Sequence, residues 1–160
     1  MARKQPKDYS PEEVRALLKK TFLALDDEEA GAGTREWRAI DIWLNTFYPF
    51  QQAWLLDWSS HAALLKCRQI GGSHVYAGAA VLWGLLGQQT SLVSVGEREG
   101  MDLLEKCKKH CEFLVEFGSK FARLERDSAL TIIMNKGGRS KGRIDVLPAT
   151  SGGRGKTGNI

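Results

Sequence analysis

Residues 66–73 form the segment whose residue types are best suited to chemistry. They read Lys-Cys-Arg-Gln-Ile-Gly-Gly-Ser and lie between a short apolar run and a small-residue stretch of helical character. Glycine lets the backbone approach an anion closely, and the N–H groups of a following helix favour negative charge. Ser73 falls where the hydroxyl of a phosphate-binding loop contacts Mg²⁺. The segment therefore favours phosphate binding, with a tightly packed strand-to-helix turn as the alternative.

The match to the usual loop pattern G-x-x-x-x-G-K-[ST] is imperfect. Lys66 stands where the first glycine is expected, and Gly72 stands where the lysine is expected. A lysine at the front of the loop reaches the phosphates only if its flexible stem spans the distance.

The composition of the chain indicates the kind of domain that contains this segment. The chain has 160 residues, of which 42% are hydrophobic and 26% charged, as expected for one globular domain with a real core. No apolar run is long enough for a membrane span, and the polar residues at the N-terminus do not resemble a secretory signal, so neither a span nor a signal is expected. Three cysteines give no disulfide framework, so a reducing, cytoplasmic setting is expected.

Hydrophobic periodicity and capping signals predict the elements along the chain. Ser10, Pro11 and Glu13 form the start of a first helix, with a capping box. Strand and helix patterns then alternate, which predicts an α/β fold with a largely parallel sheet flanked by helices. The other predicted helices cover residues 35–47, 50–57, 73–86 and 97–117, and the predicted strands cover 62–67, 90–95, 130–134 and 143–147.

Positive charge is concentrated near the end of the chain. Residues 134–160 hold six basic residues against one acid, Asp145, a net charge of +5, whereas the whole chain carries +4. Either this is a solvated, flexible basic tail, or its glycines and cations form loops that approach phosphate closely. The basic residues are Lys136, Arg139, Lys141, Arg143, Arg154 and Lys156.

Several segments together resemble the large subunit of viral terminases, the ATPases that pump DNA into phage and herpesvirus capsids. The front-shifted Lys66 and the Arg-Gln-x-Gly of residues 68–71 resemble the variant Walker A loop of that family. Residues 48–57, Tyr-Pro-Phe-Gln-Gln-Ala-Trp-Leu-Leu-Asp, resemble its adenine-recognising Q-motif, especially in the Mu-like branch. Residues 94–99 and 147–158 resemble the segments that lead to its next helix and to Walker B.

The resemblance covers residues 47–160 and implies a P-loop NTPase domain of the RecA/ASCE-like type. That domain is incomplete at its C-terminus, and residues 1–46 form an N-terminal helical extension. The implied function is ATP hydrolysis with Mg²⁺ that drives double-stranded DNA into a procapsid. The implied partners are a small terminase subunit, the portal and further copies in a ring, in the host cytoplasm. Walker B and a nuclease domain are expected beyond Ile160, so we expect a fragment with little or no hydrolysis of its own.

The resemblance also implies roles for single residues. Lys66 and Arg68 would act on the phosphates, and Arg154 would act as a finger toward a neighbouring subunit's ATP. For Arg154, contact with the DNA backbone or plain solubility are equal alternatives. Ser73 would contact Mg²⁺, and a glutamine amide would recognise adenine, with Gln51 slightly favoured over Gln52. The implied nucleotide-binding residues are Gln51, Gln52, Lys66, Cys67, Arg68, Gln69, Ile70, Gly71, Gly72 and Ser73.

Other signals carry less weight. Cys107, His110 and Cys111 have metal-ligating side chains, but His110 is expected off to one side of the helix, so buried cysteines are the better interpretation. The five tryptophans are expected to pack in the core or at a subunit interface rather than stack on bases. Two alternative functions remain open. One is a RecA-like helicase or another P-loop ATPase, and the other is a non-catalytic remnant that binds nucleotide, DNA or a capsid partner.

Overall fold

The computed structural model describes residues 9–27, 29–58, 71–134 and 140–149, in which helices pack on a four-stranded mixed sheet. Helices α4 and α5 lie against the sheet and against each other, while α2 packs on α5 and α3 packs on α4. The helices are α1 (Pro11–Leu23), α2 (Ala32–Leu44), α3 (Pro49–Leu55), α4 (Gly72–Leu85) and α5 (Glu97–Glu116), with a 3₁₀ turn at Ala24–Asp27. The strands are β1 (Gln89–Ser94), β2 (Leu124–Asp127), β3 (Thr131–Met134) and β4 (Gly142–Pro148).

The first helix begins as its sequence predicts. The Ser10 hydroxyl accepts a hydrogen bond from the Glu13 N–H at 3.2 Å, and the Glu13 carboxylate accepts one from the Ser10 N–H at 2.9 Å. This reciprocal capping box satisfies N–H groups that the helix itself leaves without partners. Inside the fold, residues of α1 and α2 belong to the same hydrophobic core as α4, α5 and the sheet.

The α/β prediction is confirmed, but a largely parallel sheet is wrong for the described residues. The strand order is β1-β4-β3-β2, in which only β1 and β4 are parallel, whereas β3 is antiparallel to both β4 and β2. The connections from β2 to β3 and from β3 to β4 are too short for a crossover, which needs about a dozen residues. The predicted strand at residues 62–67 lies outside the described residues.

Strand β2 was absent from the sequence prediction. It reads Leu-Glu-Arg-Asp and sits at the edge of the sheet, with its last three residues exposed. Charged, exposed residues are common on edge strands, where they discourage pairing with other chains. Such a strand therefore lacks the apolar alternation on which a sequence-based prediction depends.

The helix predicted over residues 97–117 is present as α5, and its buried face holds the apolar side chains except near its start. Leu104, Cys107, Cys111 and Leu114 are buried, whereas Met101 is 45% exposed. The residue that faces the sheet there is Gly100, whose missing side chain lets the helix lie against Val146 and Ser94. Met101 follows Gly100 by one residue, and the helical turn directs its side chain away from the sheet.

Among the described residues, no helix combines the length and the apolar composition that a bilayer span requires.

Candidate functional site

The start of α4 lies at the carboxyl ends of the two parallel strands. A short turn joins α4 to β1, so the helix runs antiparallel to that strand. At one end of the helix Ser73 and Val93 line the same groove, and at the other end Gly84 contacts Gly142 at the start of β4. In open α/β sheets, ligands bind outside the carboxyl ends of the strands. The predicted phosphate-binding residues 71–73 therefore occupy a position suited to a ligand.

The backbone at this helix start is suited to an anion. Gly71 adopts the left-handed conformation with φ +78° and caps the helix without a side chain, and the Val75 N–H donates to its carbonyl at 3.1 Å. The first turn of α4 holds no acidic residue. Helix α5 begins at the same edge, but its first turn carries Glu97 and Glu99. Because the helix dipole favours anions only where no carboxylate already sits, α4 is the better of the two sites.

Gln51 lies directly beside this helix start. Its side chain is 7% exposed, its Oε1 accepts from the Tyr48 N–H at 3.1 Å, and its Nε2 lies 2.6 Å from the position that a Cβ on Gly71 would occupy. A side chain at residue 71 would have to displace this amide, and the left-handed φ of Gly71 also favours glycine. Gln51 of α3 thus packs against Gly71, the residue that immediately precedes α4.

Gln52 faces another part of the molecule. Its Nε2 donates to the Phe47 carbonyl at 3.0 Å, and it lines a groove between α1 and α3 together with Pro11 and Arg15. Of the two glutamines that the resemblance singles out, Gln51 is therefore the one next to the predicted phosphate loop.

The structure brings together four of the predicted site residues, namely Gln51, Gly71, Gly72 and Ser73. Ser73 is exposed and lines a groove of about 440 Å³ between α4 and the edge of β1, with largely apolar walls that include Tyr76 and Trp83. The other predicted site residues, Lys66, Cys67, Arg68, Gln69, Ile70 and Arg154, lie outside the described residues.

A cluster of four aromatic side chains, Trp43, Phe47, His74 and His110, lies behind the helix start. His110 is 4% exposed, so its expected place off the buried face of α5 is wrong. Burial lowers the pKa of His110 to about 4, and the neighbouring His74 adds to this shift. The signal was present in the sequence, since position 110 lies three residues from Cys107 and four from Leu114, on the same helical stripe.

Two of the three cysteines and four of the five tryptophans pack in or against the core, as predicted. Cys107 and Cys111 are buried, and burial raises the pKa of Cys107 to about 12 and that of Cys111 further, so neither is a reactive thiolate. Trp43 is 1% exposed in the core, while Trp37, Trp54 and Trp58 pack against it partly buried. Within the described residues, no group of three or more His, Cys, Asp or Glu side chains is arranged to hold a metal ion.

Comparison of the chain with protein-family models, with curated proteins and with solved structures finds no match. The assignment of a function therefore depends on the residues and on their geometry.

Proposed function

We propose that this chain is the ATP-binding part of a viral DNA-packaging motor, the large subunit of a terminase. The observation that carries the proposal is the contact between Gln51 and Gly71 at the start of α4. The two residues belong to separate sequence segments, one resembling an adenine-recognising motif and the other a phosphate-binding loop. Their contact supports a single nucleotide site, because adenine and phosphates of one ATP molecule must be bound by neighbouring elements.

In this proposal the start of α4 binds the phosphates. Backbone N–H groups of Gly72 and Ser73 would donate to phosphate oxygens, and the Ser73 hydroxyl would contact Mg²⁺. Lys66 and Arg68 would neutralise the phosphate charge, and Gln51 would hold the adenine side of the site. The fold would then be a P-loop NTPase domain of the RecA/ASCE-like type.

The wider role is that of the assembled motor. ATP hydrolysis between subunits would drive double-stranded DNA through the portal into a procapsid in the host cytoplasm, with a small terminase subunit as partner. Arg154 would stabilise charge on the transferred phosphoryl group of a neighbouring subunit. A helicase-type P-loop ATPase would use the same described residues, while a non-catalytic remnant would lack nucleotide binding or turnover.

The deciding experiment is calorimetric titration of the chain with ATP and Mg²⁺, comparing wild type, Lys66→Ala and Lys109→Ala. Lys109 is an exposed lysine of α5, so its substitution controls for the loss of one positive charge. We expect Lys66→Ala to weaken ATP binding about tenfold to 150-fold, since a charge-assisted contact is worth about 1.5–3 kcal/mol, and Lys109→Ala to bind like wild type. Equal affinity of Lys66→Ala and wild type would refute the front-shifted lysine, and no binding by wild type would favour the non-catalytic remnant.

A further inference from the structure

Three other elements converge on the first turn of α4 through the aromatic cluster. Trp43 lies on α2, His110 on α5, and Phe47 two residues before the start of α3. The rings of His74 and His110 are 4.3 Å apart, and Phe47 lies 5.0 Å from the first and 5.6 Å from the second. The cluster therefore joins the helices that surround the proposed phosphate site.

Two hydrogen bonds fix the orientation and the tautomer of His110. The Trp43 Nε1–H can only donate, and it donates to His110 Nδ1 at 3.0 Å. The proton of the neutral ring must then reside on Nε2, which lies 3.0 Å from the His74 carbonyl oxygen and donates to it. His110 is thus a fixed donor to the third residue of α4.

The first turn of a helix depends on such outside contacts. The first N–H groups of a helix have no partner within the helix. The position of the turn therefore depends on contacts that other elements make with its carbonyl groups and side chains. Gln51 contacts this turn at Gly71 from α3, and His110 contacts it at His74 from α5. Both contacts therefore bear on the turn that carries the N–H groups of Gly72 and Ser73.

We infer that His110 is a positioning residue, which holds the first turn of α4 in the geometry that binds phosphate. Phosphate binding at this turn rests on the proposed function, whereas the contact between His110 and His74 does not. His110 touches neither nucleotide nor metal in this scheme, and it acts only through the His74 carbonyl.

The test compares three substitutions at this position. His110→Phe keeps a ring against Phe47 but removes both nitrogens. His110→Gln keeps an amide donor that reaches the His74 carbonyl. His110→Asn carries the same amide on a shorter side chain that does not reach it, and it replaces His110→Phe if that variant fails to fold.

Hydrogen exchange and ATP titration give two independent readouts. In His110→Phe or His110→Asn we expect the amides of residues 75–78 to exchange about tenfold faster, and ATP with Mg²⁺ to bind about fivefold to tenfold more weakly, as for one lost hydrogen bond. His110→Gln should restore both, and exchange in residues 81–85 should not change.

Unchanged exchange at residues 75–78, or a uniform rise along all of α4, would overturn the inference. So would wild-type ATP affinity in a folded His110→Phe or His110→Asn variant. If wild type binds no ATP, the proposed function fails, and the exchange rates at 75–78 still decide whether His110 holds the turn.

Discussion

Gly84 near the end of α4 contacts Gly142 at the start of β4 so closely that a Cβ atom on Gly142 would collide with the Gly84 carbonyl group. Both residues are buried, and the contact joins backbone to backbone. It fixes the distance between α4 and the sheet at the end of the helix opposite the candidate site. Through the rigid helix, this contact also sets the height of residues 71–73 above the carboxyl ends of β1 and β4.

Substituting Gly142 should therefore lower the stability of the folded protein. Gly142→Ala forces α4 away from β4, because neither backbone can give way alone, and we expect a loss of about 3 kcal/mol or more in the free energy of unfolding. Gly96→Ala is the control, since its Cβ would meet only the flexible carboxylate of Glu99 at 2.6 Å and should cost less than about 1 kcal/mol. Urea unfolding followed by circular dichroism measures both, and equal stabilities would contradict the close-contact argument.

Local signals in the sequence predicted most elements within about three residues of their bounds in the structure. The capping box at Ser10 and the stripe through Leu104 and Cys107 depend on neighbours within one or two helical turns, which a sequence displays directly. Strand pairing depends on residues far apart in the chain. The antiparallel arrangement of β3 and the edge strand β2 were therefore not predictable from periodicity.

The candidate site shows the same difference between local signals, which the sequence displays, and long-range packing, which it does not. The glycines and Ser73 stand out by type and spacing, and the resemblance drew attention to Gln51. No local pattern shows that Gln51 packs on Gly71, because that contact arises from the packing of α3 on α4. His110 differs from Gln51, because its spacing from Cys107 and Leu114 does place it on the buried stripe, and only its expected position off to one side of the helix is wrong.

Gly71 and Gly31 offer a matched pair for testing the Gln51 contact. Both cap a helix in the left-handed conformation, with φ of +78° and +75°, but a Cβ on Gly31 would meet nothing within 4 Å. An alanine in this conformation costs about 1–2 kcal/mol at either position. Gly71→Ala must also displace Gln51, so we expect a larger loss of stability than in Gly31→Ala, together with weaker ATP binding. Thermal unfolding and calorimetry test this, and identical losses in the two variants would argue against the contact.

His110 should make the stability of the protein depend on pH. Its pKa is about 4 in the folded protein and near 6.5 when unfolded, so the unfolded chain binds more protons between these values. The contribution of His110 to the free energy of unfolding is therefore fully present above pH 6.5 and is lost as pH falls toward 4. The lowered pKa of His74, caused mainly by burial, acts in the same direction.

Between pH 7 and pH 5 the His110 contribution to the free energy of unfolding should fall by about 2 kcal/mol. Chemical denaturation at several pH values measures this slope, and His110→Gln should flatten it because glutamine does not titrate. A slope equal to that of wild type would show that His110 is not the responsible group. The lowered pKa of Asp26 does not interfere, because that carboxyl titrates below its ordinary value of 3.8.

DNA binding provides a test of the basic residues near the end of the chain. Among the described residues, Lys141 pairs with Glu125, and Arg143 pairs with Asp145 at 2.7 Å within strand β4. Cations already paired with carboxylates release few counterions on binding DNA. If the chain binds duplex DNA as proposed, we therefore expect Lys141 and Arg143 to contribute less to phosphate contacts than Lys136, Arg139, Arg154 and Lys156, which lie outside the described residues.

Each phosphate contact adds about 0.9 to the slope of log affinity against log salt concentration. Replacing those four residues by alanine should thus reduce the slope for duplex DNA by about 3 to 4, measured by fluorescence anisotropy over a range of salt. The double variant Lys141→Ala/Arg143→Ala should change the slope by less than about 1, provided that it folds. A larger effect of the double variant than of the quadruple variant would contradict this prediction. It would indicate that the duplex binds to the sheet near the start of strand β4 and not to the glycine-rich segments.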